Sequence, residues 1–253
     1  ALPYEQLEPS DKPQMQSQPI QGIVLDLAAA KRDFERFNSQ LLYPAPKEHV
    51  EFARQSLYRN NLIGPQGHIT SLGKEVVSLP LSVHAGIVVA RAREISVAKG
   101  LAPETLLLPA IGVAAVMEAQ GILTREARLY GSQPREGRAT HSSARWRRFC
   151  SGGMNSDHIA QMQVLEALLN ASSDKLEDYG IHLNHFQIAR DTRNDVCERL
   201  CINPDIAANA LNRDTRHMLL EAIYSQYDRW WRVVPSHRGS ERLRVKPVVG
   251  NGG

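Results

Sequence analysis

Arginines between residues 125 and 148 are the chemistry-bearing groups that stand out first. Arg125, Arg128, Arg135, Arg138, Arg145, Arg147 and Arg148 are opposed there only by Glu126 and Glu136. Guanidinium groups match phosphate oxygens in fixed, two-pronged geometry. A run of them among Gly, Ser, Thr and Pro is therefore a candidate phosphate grip, with a solvated loop as the plain alternative. A second set could hold a metal. His182 and His185 are three apart and Cys197 and Cys201 four apart, and zinc accepts both side-chain types. Their order and spacing do not follow the common zinc modules, and a cysteine on a helix is usually a small buried apolar group, so no metal is assigned. His158 beside Asp157 and His217 near Asp214 lack an activated nucleophile in any recognisable frame; they read as helical surface pairs. Trp230 and Trp231 could stack on bases, although packing of one ring in a core is the preferred reading. The chain contains no GxxxxGK[ST] phosphate loop, nucleophile elbow, HExxH or GxGxxG pattern. Gly64 to Gly67 reads as a turn. No catalytic residue and no cofactor is assigned to this chain.

The elements that must position these groups are mostly helical. Pro3, Pro9, Pro13 and Pro19 exclude a continuous helix at the start, so residues 1–19 read as a linker. Ile20, Ile23, Val24 and Leu27 recur at helical spacing and Phe34 and Phe37 prolong the run. A helix follows over 47–60 with Val50, Ala53 and Leu57 on one face. Leu62 and Ile63 then lead through the GPQG turn to His68 and Ile69 as a small hairpin. Thr70 or Ser71 caps a short helix that Pro80 stops. Helix, hairpin and short helix in this order suggest a winged-helix unit. A helix over 82–98 ends at Gly100, and the 105–121 stretch is apolar nearly all round, the mark of a central helix. Two more helices are predicted over 155–170 and 184–200, and these three make a bundle. After Pro204 come a helix through Met218 to Ile223 and two strands, 230–234 and 243–245, around a turn at 236–240.

The fold class predicted is mainly α: a winged-helix-like domain over 20–98, a helical bundle over 99–203 carrying the arginine-rich loop 125–154, and a short β-containing C-terminal segment over 204–253. The 253 residues are 42% hydrophobic, enough for one large or two to three small cores. A formal net charge of +3 with a pI near 8.8 gives weak support for a polyanionic partner. Cys150, Cys197 and Cys201 are too few for a disulfide framework. No apolar run approaches the roughly 18–20 residues of a membrane helix and no signal core is present, so no membrane partner is expected and a cytoplasmic location is.

Over residues 62–81 the run LIGPQGHITSLGKEVVSLPL resembles a stretch of the helicase-associated region of DEAH-box, RHA-type RNA helicases, L-x-x-x-G-x-[LI]-T-x-L-G-x-x-[MV]-x-x-L-P-L. Upstream, IQGIVLDLAAAKRDF and LLYPAPKEHVEFA are similar to the passage from the second RecA-like motor domain into the winged helix. Downstream, LLLPAIGVAAVMEAQGIL, WRRF, SDHIAQMQVLEAL and GIHLNHFQIARDTRNDVCERL resemble successive pieces of the ratchet domain. TRHMLLEAIYSQYDRWWRV resembles the start of the oligonucleotide-binding barrel. Nearly the whole chain is covered in order. Gly180-Ile181 stands where many members have Trp-Cys, and the 125–155 loop is longer than in eukaryotic members; both features look bacterial.

The resemblance implies a C-terminal accessory region in which winged helix and ratchet close one side of a channel for single-stranded RNA, with DNA left open as the strand. Arg193 falls on the arginine of the family's A-x-x-[VI]-R-x-x-L ratchet helix. Arg190, three residues earlier, is the expected second phosphate contact, and Arg145, Arg147 and Arg148 complete the expected nucleic-acid-binding set. ATP and Mg²⁺ would belong to motor domains of the parent ATP hydrolase, which the linker-like start at Ala1 places upstream. The alternative is a motor-less scaffold that docks a protein partner. A duplex-DNA regulator is disfavoured because TSLGKEVVSL carries only Lys74 as a basic group.

Overall fold

The apolar periodicities condense into helices in a computed structural model of the chain, which describes residues 13–124, 145–150, 156–208 and 210–225, and the backbone of 230–235 and 243–248. In chain order come α1 (Gln14–Ser17), α2 (Gln21–Ala29), α3 (Phe34–Ser39), α4 (Lys47–Arg59), α5 (Ser71–Ser78), α6 (Val83–Lys99) and α7 (Leu107–Glu118). A 3-10 turn (Arg145–Phe149) precedes α8 (Asp157–Leu168), α9 (Ser173–Asp178), α10 (Leu183–Arg199) and α11 (Arg213–Tyr224). Strands β1 (Trp230–Pro235) and β2 (Leu243–Val248) pair antiparallel, Val233 opposite Val245. The protein is mainly helical. The expected arginine-rich loop lies outside the described residues except for 145–150, as does residues 1–12 of the expected linker. What is described of that linker carries α1, whose Met15 packs against the neighbouring core.

The run predicted as one helix from Ile20 to Phe37 is two. Lys31 takes φ of 54°, which an α-helix cannot accommodate. The Arg32 N–H turns back to the Leu27 carbonyl at 2.8 Å, the reversal by which helices often end. Asp33 then starts α3 by accepting the Arg36 N–H at 2.6 Å. The loop after α3 is pinned by buried Asn38, whose amide accepts from the Ala45 N–H at 2.7 Å and donates to the Ala45 carbonyl at 3.1 Å.

Residues 62–81 are held by local geometry. Ile63 and Ile69 form a single antiparallel bridge, closed by Gly64 N–H to His68 carbonyl at 2.8 Å, with Gly67 at φ 79°. Thr70 Oγ1 donates to the Asn61 carbonyl at 2.6 Å and accepts the Gly73 N–H at 3.0 Å, capping α5. A β-carbon at Gly73 would collide with the Leu62 carbonyl and with Ile69, so the first turn of α5 lies flat on the hairpin only because residue 73 has no side chain.

Around this unit Ile20, Val24, Leu25, Phe34, Val50, Leu57, Leu62, Leu72 and Val76 share one core with Ile87 and Ala90 of α6. The same helix turns Val88 and Ala92 toward α7, α8 and α11. Ser82, which caps α6, binds Glu118 of α7 through both its N–H at 2.9 Å and its hydroxyl at 2.5 Å. Every residue of α7 from Leu107 to Val116 is buried; its all-round apolar sequence has a neighbour on each side, α6, α8, α10 and α11 among them. Trp146 of the 3-10 turn enters the core that the end of α7 shares with α8, α9 and α10. Among the described residues no single helix is long and apolar enough to cross a membrane.

Candidate nucleic-acid interface

Helix α10 holds the two arginines on which a strand contact was expected, so its seating decides what they can do. The helix begins at His182, whose Nδ1 accepts the His185 N–H at 3.4 Å. The His185 ring nitrogen Nδ1 lies 2.8 Å from the Gly121 carbonyl, and the two rings meet tilted by 38° with centroids 4.0 Å apart. The histidine pair therefore ties the helix start to the end of α7. Phe186, Ala189, Arg193, Val196 and Cys197 face inward.

Arg193 is corrected by this arrangement. It has no exposed surface. Its Nε donates to Glu166 Oε1 at 2.6 Å and its Nη2 to Glu166 Oε2 at 3.1 Å. Nη1 donates to the Pro204 carbonyl at 2.8 Å, and Nη2 also to the Ile206 carbonyl at 3.0 Å. Glu166, on α8, accepts the Ala208 N–H as well, at 3.2 Å. A phosphate cannot replace Glu166 here without leaving that carboxylate buried and unpaired, which costs several kcal/mol (about 3–5). Arg193 fastens α10 to α8 and to the 204–208 segment; it does not offer a guanidinium to a strand. The sequence held the sign of this: position 193 sits four residues after Ala189 and three before Val196, on the apolar stripe rather than off it.

Arg190 is half-buried, its side chain 37% exposed, with its Nη2 donating to Gln187 Oε1 at 2.6 Å and its Nε 3.9 Å from Asp191. Such a surface pair is worth little, so Arg190 can leave it for a phosphate. The expected joint contact of Arg190 and Arg193 with consecutive phosphates does not occur in this arrangement, because Arg193 has no exposed surface while Arg190 reaches solvent.

In the 3-10 turn Arg145 and Arg148 are exposed and Arg147 half-buried. The Arg148 guanidinium lies 5.5 Å from the Phe149 ring centroid and 5.7 Å from that of Tyr179, and the two rings meet edge to face at 5.0 Å. A cation held over two rings keeps its N–H edge outward. Arg147 Nε and Nη2 are buried and have no hydrogen-bond partner among the described residues. Beside them, burial pushes the Cys150 thiol up, an effect that Arg147 and Arg216 oppose by attraction. Burial likewise lowers His158 against the pull of Asp157.

Cys197 is buried, its thiol pushed up to about 11 by burial, whereas Cys201 is exposed at the end of α10 with φ 55°. Among the described residues no cluster of three or more His, Cys, Asp or Glu could hold a metal ion. The side chains of Trp230 and Trp231 lie outside the described residues.

No protein-family model and no curated protein matches the chain.

Proposed function

We propose that this chain is a C-terminal accessory region of an ATP-dependent DEAH-box, RHA-type RNA helicase, with a winged-helix unit followed by a ratchet-like bundle. It would grip single-stranded RNA while RecA-like motor domains of the same protein hydrolyse ATP with Mg²⁺. The observation that carries the reading is the 62–81 stretch, because its resembling residues have separable structural jobs. Thr70 caps, Gly73 permits contact with the Leu62 carbonyl, and Leu72 and Val76 enter the core. Arg190, Arg145, Arg147 and Arg148 remain the proposed strand contacts; they bind phosphates by charge and give no sequence readout. The proposed location is cytoplasmic.

One observation favours a second reading, a motor-less scaffold that docks a protein. The arginine aligned with the ratchet contact is internal, and the other two arginines of α10, Arg190 and Arg199, stand at its middle and its end rather than as a neighbouring pair. Fluorescence anisotropy of labelled single-stranded RNA across a salt series separates the two. The strand-gripping reading predicts affinity that falls with salt and weakens in an Arg190→Ala/Arg148→Ala variant. Absence of binding at about 50 mM salt by the folded chain sinks it in favour of the scaffold.

A further inference from the structure

An open feature lies on the other unit. A groove of about 1110 Å³ runs between the end of α2, the outer face of α4 and the hairpin. Small-molecule sites occupy roughly 300–1,000 Å³, so this groove suits a segment of extended chain. Its floor is apolar, from Val24, Phe34, Ile63 and Ile69. Lys31, Arg32, Arg54 and Lys74 supply four cations, and Asp33 is the single acid among the described lining residues. The Asp33 carboxylate is already engaged as the N-cap of α3. Arg54 pairs with Glu35 at 2.9 Å, but both are open to solvent, 44% and 60% exposed, and such pairs exchange readily. One wall carries Tyr58, 53% exposed, and His68 lies on the other side, in the hairpin. At the hairpin tip Gly67 leaves bare backbone with open space where a β-carbon would stand.

We infer that this groove is a second single-strand site, in which the phosphates of a short RNA or DNA segment lie along Lys31, Arg32, Arg54 and Lys74 while a base stacks on Tyr58. Excess cations on a rim with one exposed ring is the composition of sequence-tolerant single-strand binding, in which charge holds the backbone and any base offers a face. An acidic peptide would satisfy the cations equally, but would leave Tyr58 and the glycine tip without a specific role. The inference rests on the reading of the chain as strand-binding and concerns a face remote in sequence from Arg190 and Arg148.

The experiment is anisotropy with a labelled uridylate dodecamer between about 50 and 200 mM salt. The variants are Lys31→Glu/Arg32→Glu/Lys74→Glu, Tyr58→Ala, and a control of equal charge change on exposed lysines elsewhere, Lys47→Glu/Lys99→Glu/Lys175→Glu. Circular dichroism verifies that each is folded. The groove variant is expected to bind about tenfold or more weakly than the control, with a salt slope smaller by about 2. Tyr58→Ala is expected to lose about fivefold or more at unchanged slope, and photo-crosslinks from 4-thiouridine should map to the peptide holding Tyr58. Equal affinity of groove and control variants, with binding still lost on Arg190→Ala/Arg148→Ala, overturns the groove and leaves the strand-gripping reading standing. No binding by the unmodified chain overturns both. Tighter binding of polyglutamate than of uridylate, abolished by the groove variant, makes it a peptide site instead and overturns the nucleic-acid assignment.

Discussion

Arginine does opposite work in the two units. Around the hairpin Arg32 and Arg54 line an open groove and keep their charge in solvent, where it can meet a partner. In the bundle Arg193 is wholly enclosed by Glu166 and two backbone carbonyls. Charge at a rim acts at range and is screened by salt. Charge in a core acts only on its immediate neighbours and fixes geometry, because each partner is intolerable alone. The lesson is that residue type and a family-like pattern are insufficient to separate a ligand from a fastener; the direction of one helix face separates them.

The contrast is most directly broken at its buried end. Arg193→Ala should destabilise by about 3–5 kcal/mol in urea unfolding, since it strands Glu166 and opens the 204–208 segment. Arg190→Ala, three residues away, should move stability by no more than about 0.5 kcal/mol. Equal losses at the two positions would mean that Arg193 is not enclosed as described.

Gly73→Ala tests the hairpin unit without touching a charge. The added methyl meets backbone, not a flexible tip, so the expected loss is about 1–3 kcal/mol by overpacking, read as a lowered midpoint of thermal or urea unfolding. An unchanged midpoint would show that α5 can lift from the hairpin. Thr70→Val keeps the shape and removes the cap to the Gly73 N–H; about 1 kcal/mol is expected, and Thr70→Ser should restore most of it.

The smallest expected effect is chemical. Only the thiolate is reactive, so Cys197, whose pKa is pushed up to about 11, should be alkylated by iodoacetamide far more slowly than exposed Cys201 at pH 8. Its rate, measured by peptide mass mapping, should climb about tenfold per pH unit up to that value in the folded chain. Rapid modification of Cys197 at neutral pH would show that the α7–α10 contact opens easily.

Much of the fold was legible because its signals are local. A cap at Thr70, one of the two positions the pattern offered, Gly100 as a helix stop at φ 62°, and a buried helix within the all-apolar 105–121 stretch are decided within a few residues, whereas Ser82, read as the first residue of its helix, is its cap. The break at Lys31 was not legible. The apolar spacing continues through it, and only the packing of Phe34 against the α2–α4 core shows why the chain turns there. The short helix α9 was missed because SDKLED has one apolar residue, Leu176, and periodicity cannot be read from one point.

What the sequence determined by itself was the inventory: helices with their stops, a Thr-x-x-Gly turn packed on a hairpin, and cations in excess of what their neighbours neutralise. Tertiary structure alone decided which cations face water. Lys31 and Lys74 are separated by more than forty residues, and only the meeting of α2, α4 and the hairpin makes them one rim. Arg193 and Glu166 lie 27 positions apart, and only the packing of α10 on α8 joins them. The physical reason is range: capping and turn formation are fixed by bonds within one or two turns of chain, whereas burial of a charge depends on what distant segments bring to it.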